Sequence, residues 1–517
     1  MFEYYKGRNS LSKLRHNITL FNPRPNRDLK PLDLPLSLLC VSRFLDEEGY
    51  ECKIVSENLF EDHFEVLKES AKNSLVVGIS AMTGYQIYEG IEASKAVKEV
   101  NPDIKVIWGG WHASLYPSQV LENEYIDIVV RGQGERSLYE VVKCLEEGKG
   151  LKGIPGVSWK DENGVHENPD RSLEKIDDWP AIPYHLVDTE KCLIETEFGD
   201  RTINYVSSFG CPYRCAFCCE VAVNNRRWVG LNAMAVVDDL EKLEKVYGVN
   251  GISMYDSLFF VDVQRSKDIL RGMLDRGLTI RLGNVDGRAK QLAAADDELW
   301  GLLRDTKTYS ILCGAESGDQ EALDAIDKDM DVEDNIKFAE KCAQYGVKVV
   351  FSTLVGLPLL NHSHKELAEK TDSQIQATID MFDRILAMDE RHRGLMFIYA
   401  PYPGTPLYEN AVKLGFDPPK TLEGWGKFNL YDKHTPWVTK RQQQLVPMIS
   451  SYIFMFMDKD TLKWIGGRIK NPILSKLFLI MFRCVRPVAK SRWEYKFFNM
   501  PLDYHLFALA KTYNTAI

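Results

Sequence analysis

Two long runs of alternating strands and helices constrain the fold more than any other feature of this sequence. In the first 150 residues, Val- and Ile-rich segments such as 17–22 and 51–56 alternate with amphipathic helices such as 34–50. A second run begins near Tyr205, and its predicted strands are 203–207, 250–254, 279–284, 309–314, 347–354 and 395–399. Buried strands that alternate with helices indicate βαβ units and parallel sheets. The sequence therefore predicts an α/β fold, with a doubly wound parallel sheet followed by a partial (β/α)6 barrel.

The chain of 517 residues is long enough for about three domains. We predict a parallel-sheet domain at 1–150, a linker with a small hairpin at 151–200, the partial barrel at 201–430, and an α-helical region at 431–517. Ligands are expected beyond the carboxyl ends of the strands, because the loops there line the crevice of an open sheet and the mouth of a barrel.

The composition excludes some classes of protein. A net charge of -10 argues against general nucleic-acid binding, which usually needs a basic surface. The N-terminal residues are polar and lack the apolar stretch of a signal peptide. Eleven cysteines is an odd number, and seven of them are scattered through apolar patterns, as is typical of buried thiols in a reducing compartment. We therefore predict a cytoplasmic protein without a nucleic-acid partner.

The remaining four cysteines lie together in the segment SSFGCPYRCAFCC, at 207–219. Cys211, Cys215 and Cys218 have the spacing C-x3-C-x2-C directly after the first predicted barrel strand. A zinc site favours a second cysteine pair, which the sequence does not show, and a redox pair of Cys215 and Cys218 leaves Cys211 unexplained. Three thiolates on one loop can hold three irons of a [4Fe–4S] cluster and leave the fourth iron open. Cys219 has no place in this pattern and is interpreted as a neighbour.

The segment CPYRCAFC, with the aromatic Phe217 before its last cysteine, resembles the signature of the radical S-adenosylmethionine (SAM) superfamily. The resemblance implies that Cys211, Cys215 and Cys218 are catalytic cluster ligands. It also implies that the open iron binds the amino and carboxylate groups of SAM, and that one electron from a reductant such as flavodoxin or ferredoxin yields a 5′-deoxyadenosyl radical. Phe217 would lie beside these cofactors.

Later segments resemble the same superfamily in order and at predicted strand ends. SMYDSLF at 253–259 would place Asp256 near the SAM amino group, and GNVDGRA at 283–289 would offer Arg288 to the SAM carboxylate or ribose. CGAESGD at 313–319 would place Glu316 and Ser317 near the ribose and sulfonium. VGLP at 355–358 and the segment 400–415 resemble the adenine-side turn and the closing segment of the barrel. This resemblance runs from about residue 203 to 415.

The first domain resembles the B12-binding domain that precedes the barrel in a large radical SAM subfamily, on the segments GISAMTGY, VIWGGWHASLYP and DIVVRGQGE. Small residues there would let the backbone approach a flat corrin ring. The implied cobalamin contacts are Ser80, Met82, Thr83, Gly84, Gly109, Gly110, Trp111, Gly132, Gly134 and Glu135. The loop at 22–35 lacks the histidine of the D-x-H-x-x-G motif that ligates cobalt in methionine synthase-like proteins. We interpret His112 as a residue near the cofactor tail or in the packing rather than as a cobalt ligand.

The subfamily that this chain resembles includes the anaerobic Mg-protoporphyrin monomethyl ester cyclase and hopanoid methylases. The resemblance implies a C-methyltransferase that uses a 5′-deoxyadenosyl radical and methylcobalamin on an unactivated carbon. Alternatives are a radical SAM cyclase or oxidase with the same cofactors, a radical SAM enzyme that has lost cobalamin, and a non-catalytic corrinoid carrier or sensor. Methylthiotransfer is disfavoured, because Cys40 and Cys52 lie in an apolar helix and strand and no RNA-binding tail follows.

The C-terminal region is basic and aromatic. Residues 461–500 carry nine Lys or Arg residues against one acid, Glu494, with apolar residues between them. This pattern admits a helical cap over the barrel mouth, or an amphipathic surface on anionic lipid at the inner face of a membrane. The second interpretation fits a hydrophobic small-molecule substrate, such as a lipid or a tetrapyrrole.

Overall fold

The chain folds into two units that interleave along the sequence. The computed structural model describes residues 16–26, 34–429, 435–458, 472–499 and 502–505. The first unit comprises Met1–Cys192 and Pro419–Asn429, and the second comprises Leu193–Pro418 and Leu430–Ile517. This division differs from the boundaries expected from the sequence, because residues 151–192 belong to the first unit.

Within the described residues, the first unit is built on a seven-stranded sheet with the order β2-β1-β3-β4-β5-β6-β7. The strands are β1 (Asn17–Asn22), β2 (Glu51–Ser56), β3 (Ser74–Ser80), β4 (Lys105–Gly109), β5 (Ile128–Val130), β6 (Val157–Asp161) and β7 (Gly164–Glu167). Strands β1 to β5 are parallel, and β6 and β7 are antiparallel. The strand order reverses between β1 and β3, and such a reversal creates a ligand-binding crevice at the carboxyl ends of the strands.

Amphipathic helices cover this sheet. They are α1 (Leu36–Glu47), α2 (His63–Ala71), α3 (Tyr85–Val100), α4 (Trp111–Leu115), α5 (Pro117–Glu122) and α6 (Gly134–Glu146). Close packing explains one small residue of α3. A Cβ atom on Gly90 would lie 2.8 Å from the ring of Trp108, and the Trp108 ring nitrogen donates a hydrogen bond to Ser94 Oγ at 3.0 Å. Trp108 is therefore fully buried without an unsatisfied N–H group.

Two segments outside the expected 1–150 domain complete the first unit. The hairpin β6–β7 pairs with β5 and extends the parallel sheet, so part of the predicted linker is a sheet edge. Pro419–Asn429, which we call the return segment, contains a short helix at Leu422–Gly426 and packs against α3. Asn123 Nδ2 donates a hydrogen bond to Glu423 Oε1 at 3.0 Å across three hundred positions of sequence.

The second unit has the predicted barrel strands. They are β9 (Gly199–Tyr205), β12 (Gly251–Met254), β13 (Arg281–Gly283), β14 (Val285–Gly287), β15 (Ser310–Glu316), β16 (Lys348–Val355) and β17 (Arg393–Ile398). All of these strand pairs are parallel, and the third barrel strand is divided into β13 and β14 at Asn284, whose φ is 52°. β8 (Ile194–Thr196) is an antiparallel edge, and β10 (Ser208–Gly210) pairs with β11 (Trp228–Gly230). The predicted fold class is confirmed.

Helices follow the barrel strands as the periodicity predicts. They are α7 (Cys219–Asn224), α8 (Ala233–Tyr247), α9 (Val263–Asp275), α10 (Ala289–Ala293), α11 (Asp297–Asp305), α12 (Gln320–Ala325), α13 (Val332–Tyr345), α14 (His364–Met388) and α15 (Pro406–Lys413). Several begin at side-chain caps, for example α14, where Ser363 and Glu366 form a capping box.

The C-terminal region is helical, as predicted. Its elements are Lys440–Pro447, a π-helix at Met448–Ile453, Phe454–Met457 and the long helix Pro472–Glu494. A buried ion pair of 2.7 Å joins Lys348 of β16 to Asp458. Part of the predicted basic stretch, including Lys463, Arg468 and Lys470, lies outside the described residues. Among the helices that are described, none is long and apolar enough to cross a membrane.

Candidate active site

The cysteine segment forms the loop between β10 and α7, and Asp256 at the end of β12 holds its beginning. Asp256 is 1% exposed, and it accepts hydrogen bonds of 2.6 Å from the backbone N–H and the hydroxyl of Ser207 and from the hydroxyl of Ser208. Burial raises the pKa of Asp256, although the serine hydrogen bonds and Arg265 oppose the rise. The carboxylate therefore ties the second barrel strand to the chain that enters the cysteine loop.

Other contacts hold the loop along its length. The Arg288 guanidinium lies 3.9 Å from the centre of the Tyr213 ring, and its Nη2 donates a hydrogen bond to the Asp329 carbonyl at 3.2 Å. The Ala216 N–H donates to the Ile326 carbonyl at 2.9 Å, and the Ala216 carbonyl accepts from the Leu407 N–H at 3.1 Å. The loop is thus positioned by residues that follow the third, fourth and sixth barrel strands.

The thiols of this loop are enclosed. Cys215 is buried, and Cys211, Cys218 and Cys219 are partly exposed. Burial raises the pKa of Cys211, raises that of Cys218 to about 12 and raises that of Cys219 to about 11. Charge on neighbouring cysteines adds to the rise at Cys211 and Cys218. Such thiols stay protonated at neutral pH unless a metal stabilises their thiolate form.

Glu316 lies at the end of β15 and is buried together with Lys328. The Lys328 Nζ lies 2.8 Å from Glu316 Oε1. Glu316 has a φ of 59°, a left-handed conformation that is uncommon for a residue with a side chain. Ser317 follows it, is fully buried, and accepts a hydrogen bond from the Asp319 N–H at 3.1 Å.

The first unit brings its predicted residues to one edge of its sheet. Ser80, Met82, Thr83 and Gly84 follow β3, Gly109, Gly110 and Trp111 follow β4, and Gly132, Gly134 and Glu135 follow β5. Because these strands are parallel neighbours, the three loops form one continuous edge. Met82 is 44% exposed there. Glu135 faces inward instead: burial raises its pKa, and the nearby Arg43 opposes the rise.

Two glycines of this edge are required by the backbone. Gly84 and Gly110 have φ values of 112° and 95°, which residues with a Cβ atom rarely adopt. A Cβ on Gly84 would lie 3.0 Å from the Phe428 carbonyl oxygen of the return segment, and a Cβ on Gly110 would lie 2.8 Å from the Ala81 carbonyl oxygen. These positions therefore have a packing role that the sequence did not indicate.

His112 is fully buried beneath the return segment. Its Nδ1 lies 3.1 Å from Thr83 Oγ1, and its ring centre lies 5.6 Å from that of Trp425. Burial lowers the pKa of His112 to about 4, so the ring is neutral at physiological pH. Within the part of the chain that the structure describes, His112 Nε2 and the Trp425 ring N–H are buried and have no hydrogen-bond partner.

Comparison with known families identifies both units. The family description "B12 binding domain" matches residues 33–142, and "Radical SAM superfamily" matches residues 205–371. The chain is a radical SAM enzyme with a B12-binding domain. Its predicted family membership is confirmed.

Relatives of this radical SAM enzyme cover most of its length. It is 28% identical to "Uncharacterized methyltransferase PH0819" of Pyrococcus horikoshii, over 73% of this chain and 78% of that protein. It is 24% identical to the "Anaerobic magnesium-protoporphyrin IX monomethyl ester cyclase" of Rubrivivax gelatinosus, over 82% and 72%. A solved structure of the cobalamin-dependent S-adenosylmethionine radical enzyme OxsB, with aqua-cobalamin and S-adenosylmethionine bound, matches 96% of this chain and 75% of its own, with a TM-score of 0.71 and 18% identity. At that identity the likeness shows the fold.

The residues present in the radical SAM enzyme fit a [4Fe–4S] cluster. Cys211, Cys215 and Cys218 offer three soft donors on one loop, and thiolates are the ligands that hold such clusters. The loop is restrained by buried polar contacts on several sides. Phe217 lies within it, between the second and third cysteines. The type of donor and the restrained loop therefore fit a cluster that the three cysteines would hold.

The residues of the B12-binding domain also fit their cofactor. Glycines with positive φ at Gly84, Gly110 and Gly132 keep side chains away from the carboxyl edge of the sheet, and no atom of the described residues lies within 4 Å of a Cβ added at Gly132. His112 Nε2, left without a partner among the described residues, is an unsatisfied polar atom of the kind that a bound ligand can satisfy. These glycines and the His112 ring nitrogen form a surface that could contact a bound cofactor, and they do not form a set of metal ligands.

The structure brings together two charged residues that sequence reasoning missed. Lys328 pairs with Glu316, and Asp286 of β14 lies in the same electrostatic group. Burial raises the pKa of Asp286 to about 8; Asp256 and Glu316 add to the rise and Lys328 opposes it. Asp286 was visible in GNVDGRA as a polar residue at a barrel strand end, whereas no pattern in the sequence marks Lys328.

Asp256 and Arg288, which the sequence predicts to contact SAM, also have a structural role. The oxygens of Asp256 already accept three hydrogen bonds from protein groups, and Arg288 is engaged by Tyr213 and Asp329. Both residues support the cysteine loop in this structure. Their contacts with SAM stay predictions, as do those of Phe217, Glu316 and Ser317.

Proposed function

We propose that this radical SAM enzyme is a cobalamin-dependent C-methyltransferase that acts on an unactivated carbon of a small molecule. One observation carries the proposal. The cysteine loop, which hydrogen bonds from neighbouring barrel elements hold in place, occurs in the same chain as a B12-binding domain. The relative of higher identity among the two compared is described as a methyltransferase. When bound, SAM, the cluster and cobalamin supply hydrogen abstraction and methyl donation.

The chain's own residues would position the cofactors and exclude water from the site. Cys211, Cys215 and Cys218 would hold the cluster, and Asp256 and Arg288 would keep their loop in place. Ser80, Thr83 and the glycines Gly84, Gly109 and Gly110 would line the corrin edge of the first unit. Buried charged pairs act strongly in such sites because little water screens them.

The first experiment is anaerobic purification in the presence of hydroxocobalamin, with assays of iron, sulfide and corrinoid per chain. We expect about four irons and about one corrinoid. The loaded protein is then treated with a strong reductant and SAM carrying an isotopically labelled methyl group. Labelled methylcobalamin supports the methyltransferase, and this readout does not require the substrate to be known.

Two other outcomes contradict parts of the proposal. Four irons without corrinoid would remove methyl transfer and leave a radical SAM enzyme that has lost cobalamin. Corrinoid that stays bound but never acquires the label would favour a cyclase or oxidase, of the kind found in the second relative. Product masses then separate the two classes, because only methylation adds a CH2 unit. The reductant would be a one-electron carrier of the flavodoxin or ferredoxin type.

For the substrate, we infer a hydrophobic molecule at a membrane surface. In the helix Pro472–Glu494 and just beyond it, apolar and aromatic side chains face solvent, among them Ile480, Met481, Val488 and Tyr495, the last of which is 80% exposed. Exposed cations accompany them at Lys476, Arg483 and Lys490. Apolar groups between cations are typical of helices that lie on anionic lipid.

Sedimentation with lipid vesicles tests this contact. We expect the protein to bind vesicles that contain phosphatidylglycerol and to bind phosphatidylcholine vesicles weakly, with high salt reducing the difference. The double variant I480S/V488S should lose most of the binding and keep its iron content. Equal binding of variant and wild type, or no binding to either vesicle, would favour the cap interpretation.

A further inference from the structure

Lys328 is a buried lysine in a turn directly after α12. It is 8% exposed, and its ammonium group pairs with Glu316 at 2.8 Å. Burial by itself would lower the pKa of Lys328, but the carboxylate of Glu316 and the nearby thiols of Cys215 and Cys313 outweigh it and raise the pKa. The side chain is therefore a cation held inside the barrel, where charges are costly unless they are compensated.

The backbone places this cation beside the cysteine loop. The Ala216 N–H, one residue after Cys215, donates a hydrogen bond to the Ile326 carbonyl at 2.9 Å, two residues before Lys328. The titratable groups that face Lys328 come from several elements, and they are Cys211, Cys215, Asp286, Cys313 and Glu316. Lys328 is thus the cation that these acids and thiols surround.

The surrounding backbone is adapted to hold the pair. Glu316 has a φ of 59°, a strained conformation that persists in a residue with a side chain only where the surrounding structure enforces it. Gly314 leaves the space that the pair occupies: a Cβ there would overlap Glu316 Oε1 and would lie 3.0 Å from Lys328 Nζ. Strain and a missing side chain at neighbouring positions indicate that the orientation of Glu316 and Lys328 is specified by the fold.

We propose that Lys328 is a positioning residue for electron transfer, which raises the reduction potential of a cluster held by Cys211, Cys215 and Cys218. In the step concerned, an external low-potential donor gives up one electron, the cluster gains it, and no bond to the protein forms or breaks. The site becomes more negative by one charge. A fixed ammonium nearby stabilises that change, because net charge and hydrogen bonding around a cluster set its potential. This inference rests on the radical SAM part of the proposed function and does not depend on methyl transfer.

The test is a redox titration of the reconstituted enzyme, followed by electron paramagnetic resonance of the reduced cluster. At a fixed solution potential, we expect the ratio of reduced to oxidised cluster in K328M to fall about tenfold, which corresponds to about 59 mV for a one-electron couple. K328R keeps the charge and should lie near wild type. E316Q removes the compensating carboxylate and should shift the potential in the opposite direction to K328M.

The matched control is K290M. Lys290 is half exposed and pairs at 3.3 Å with Asp329, the residue that follows Lys328, but solvent screens the charge of Lys290. Its removal should leave the potential unchanged. A K328M enzyme with full iron content and a wild-type potential would overturn the proposal. If K328M fails to retain its cluster, the proposal is overturned when K328R and E316Q both titrate like wild type. Loss of corrinoid, which would defeat the methyltransferase, does not alter this measurement.

Discussion

The two units present their candidate sites in different ways. In the second unit the site is a network of charged side chains, in which Asp256, Arg288 and the Glu316–Lys328 pair hold the cysteine loop or lie against it. In the first unit the site is a backbone shape, with positive-φ glycines along a sheet edge and a neutral histidine beneath it. The cluster site is therefore recognisable from residue identity, whereas the corrin site is recognisable chiefly from the position of glycines relative to strand ends.

The largest effect that separates the two units is expected from C215A. Removing one of three ligands should reduce iron from about four per chain to near zero and abolish 5′-deoxyadenosine formation, because two thiolates do not hold the cluster. Corrinoid binding should remain, since that site lies in the first unit. Iron, sulfide and corrinoid assays check the result. C219S is the matched control and should retain iron; equal losses in both variants would contradict the assignment of Cys219 as a neighbour.

G110A should produce the complementary result. An added Cβ meets the Ala81 backbone at 2.8 Å in a conformation that favours glycine, so we expect a loss of about 1–3 kcal/mol in the free energy of unfolding. Hydroxocobalamin affinity should fall while iron content stays normal. Thermal unfolding and equilibrium dialysis measure the two effects. G150A adds its Cβ at a position where the described part of the chain has no atom within 4 Å, and it should behave as wild type. Unchanged hydroxocobalamin affinity in G110A would show that Gly110 is not part of the corrin site.

Each unit has a buried tryptophan, and the two differ in whether the ring N–H group makes a hydrogen bond. The Trp437 ring N–H in the second unit donates to the Gly356 carbonyl at 3.0 Å, and the Trp425 ring N–H in the first has no partner among the described residues. W437F should therefore cost about 1–3 kcal/mol, because it leaves a buried acceptor unsatisfied. W425F should change the stability of the cofactor-free protein much less. Calorimetry of both variants measures the difference, and a larger loss in W425F would show that its N–H is already satisfied.

A weaker effect is a pH dependence of the stability of the cluster-free protein, which Asp286 should confer. An aspartate ionises near pH 3.9 when unfolded, whereas burial raises the pKa of Asp286 to about 8 in the folded state. Between these values the folded state holds a proton that the unfolded state has released, so stability falls as the pH rises from about 4 to about 8. We expect the Tm of D286N to fall less than that of wild type between pH 6 and pH 8, by about 2–4 °C.

The control for this last comparison is D275N, which changes an exposed aspartate of the same unit. It should follow the wild-type pH profile. A D286N profile that is parallel to wild type would mean that Asp286 is ionised across the whole range. The cation of Lys328 would then dominate its surroundings.

Much of the fold follows from local pattern. The strands expected at 17–22 and 51–56 match Asn17–Asn22 and Glu51–Ser56, because short apolar segments bounded by turn residues can be recognised from neighbouring residues alone. The cysteine loop was equally visible, since its spacing and its place after a strand are both local. The hairpin β6–β7 was expected, but its pairing with β5 was not, because edge pairing depends on a partner elsewhere in the chain.

The order of strands and helices, the three cysteines and the strand ends at which chemistry is expected could all be derived from the amino-acid sequence alone. The pairing of the charged side chains became visible only in the tertiary structure: Asp256 accepts hydrogen bonds from two serines, Glu316 pairs with Lys328, and the carboxyl group of Asp286 lies close enough to Lys328, Asp256 and Glu316 for their charges to shift its pKa. The tertiary structure also decided that the return segment joins the first unit and covers His112 with Trp425. Burial sets the strength of every charge and hydrogen bond, and it depends on residues from other elements that local sequence patterns do not reveal, as the contact between His112 and Trp425 illustrates.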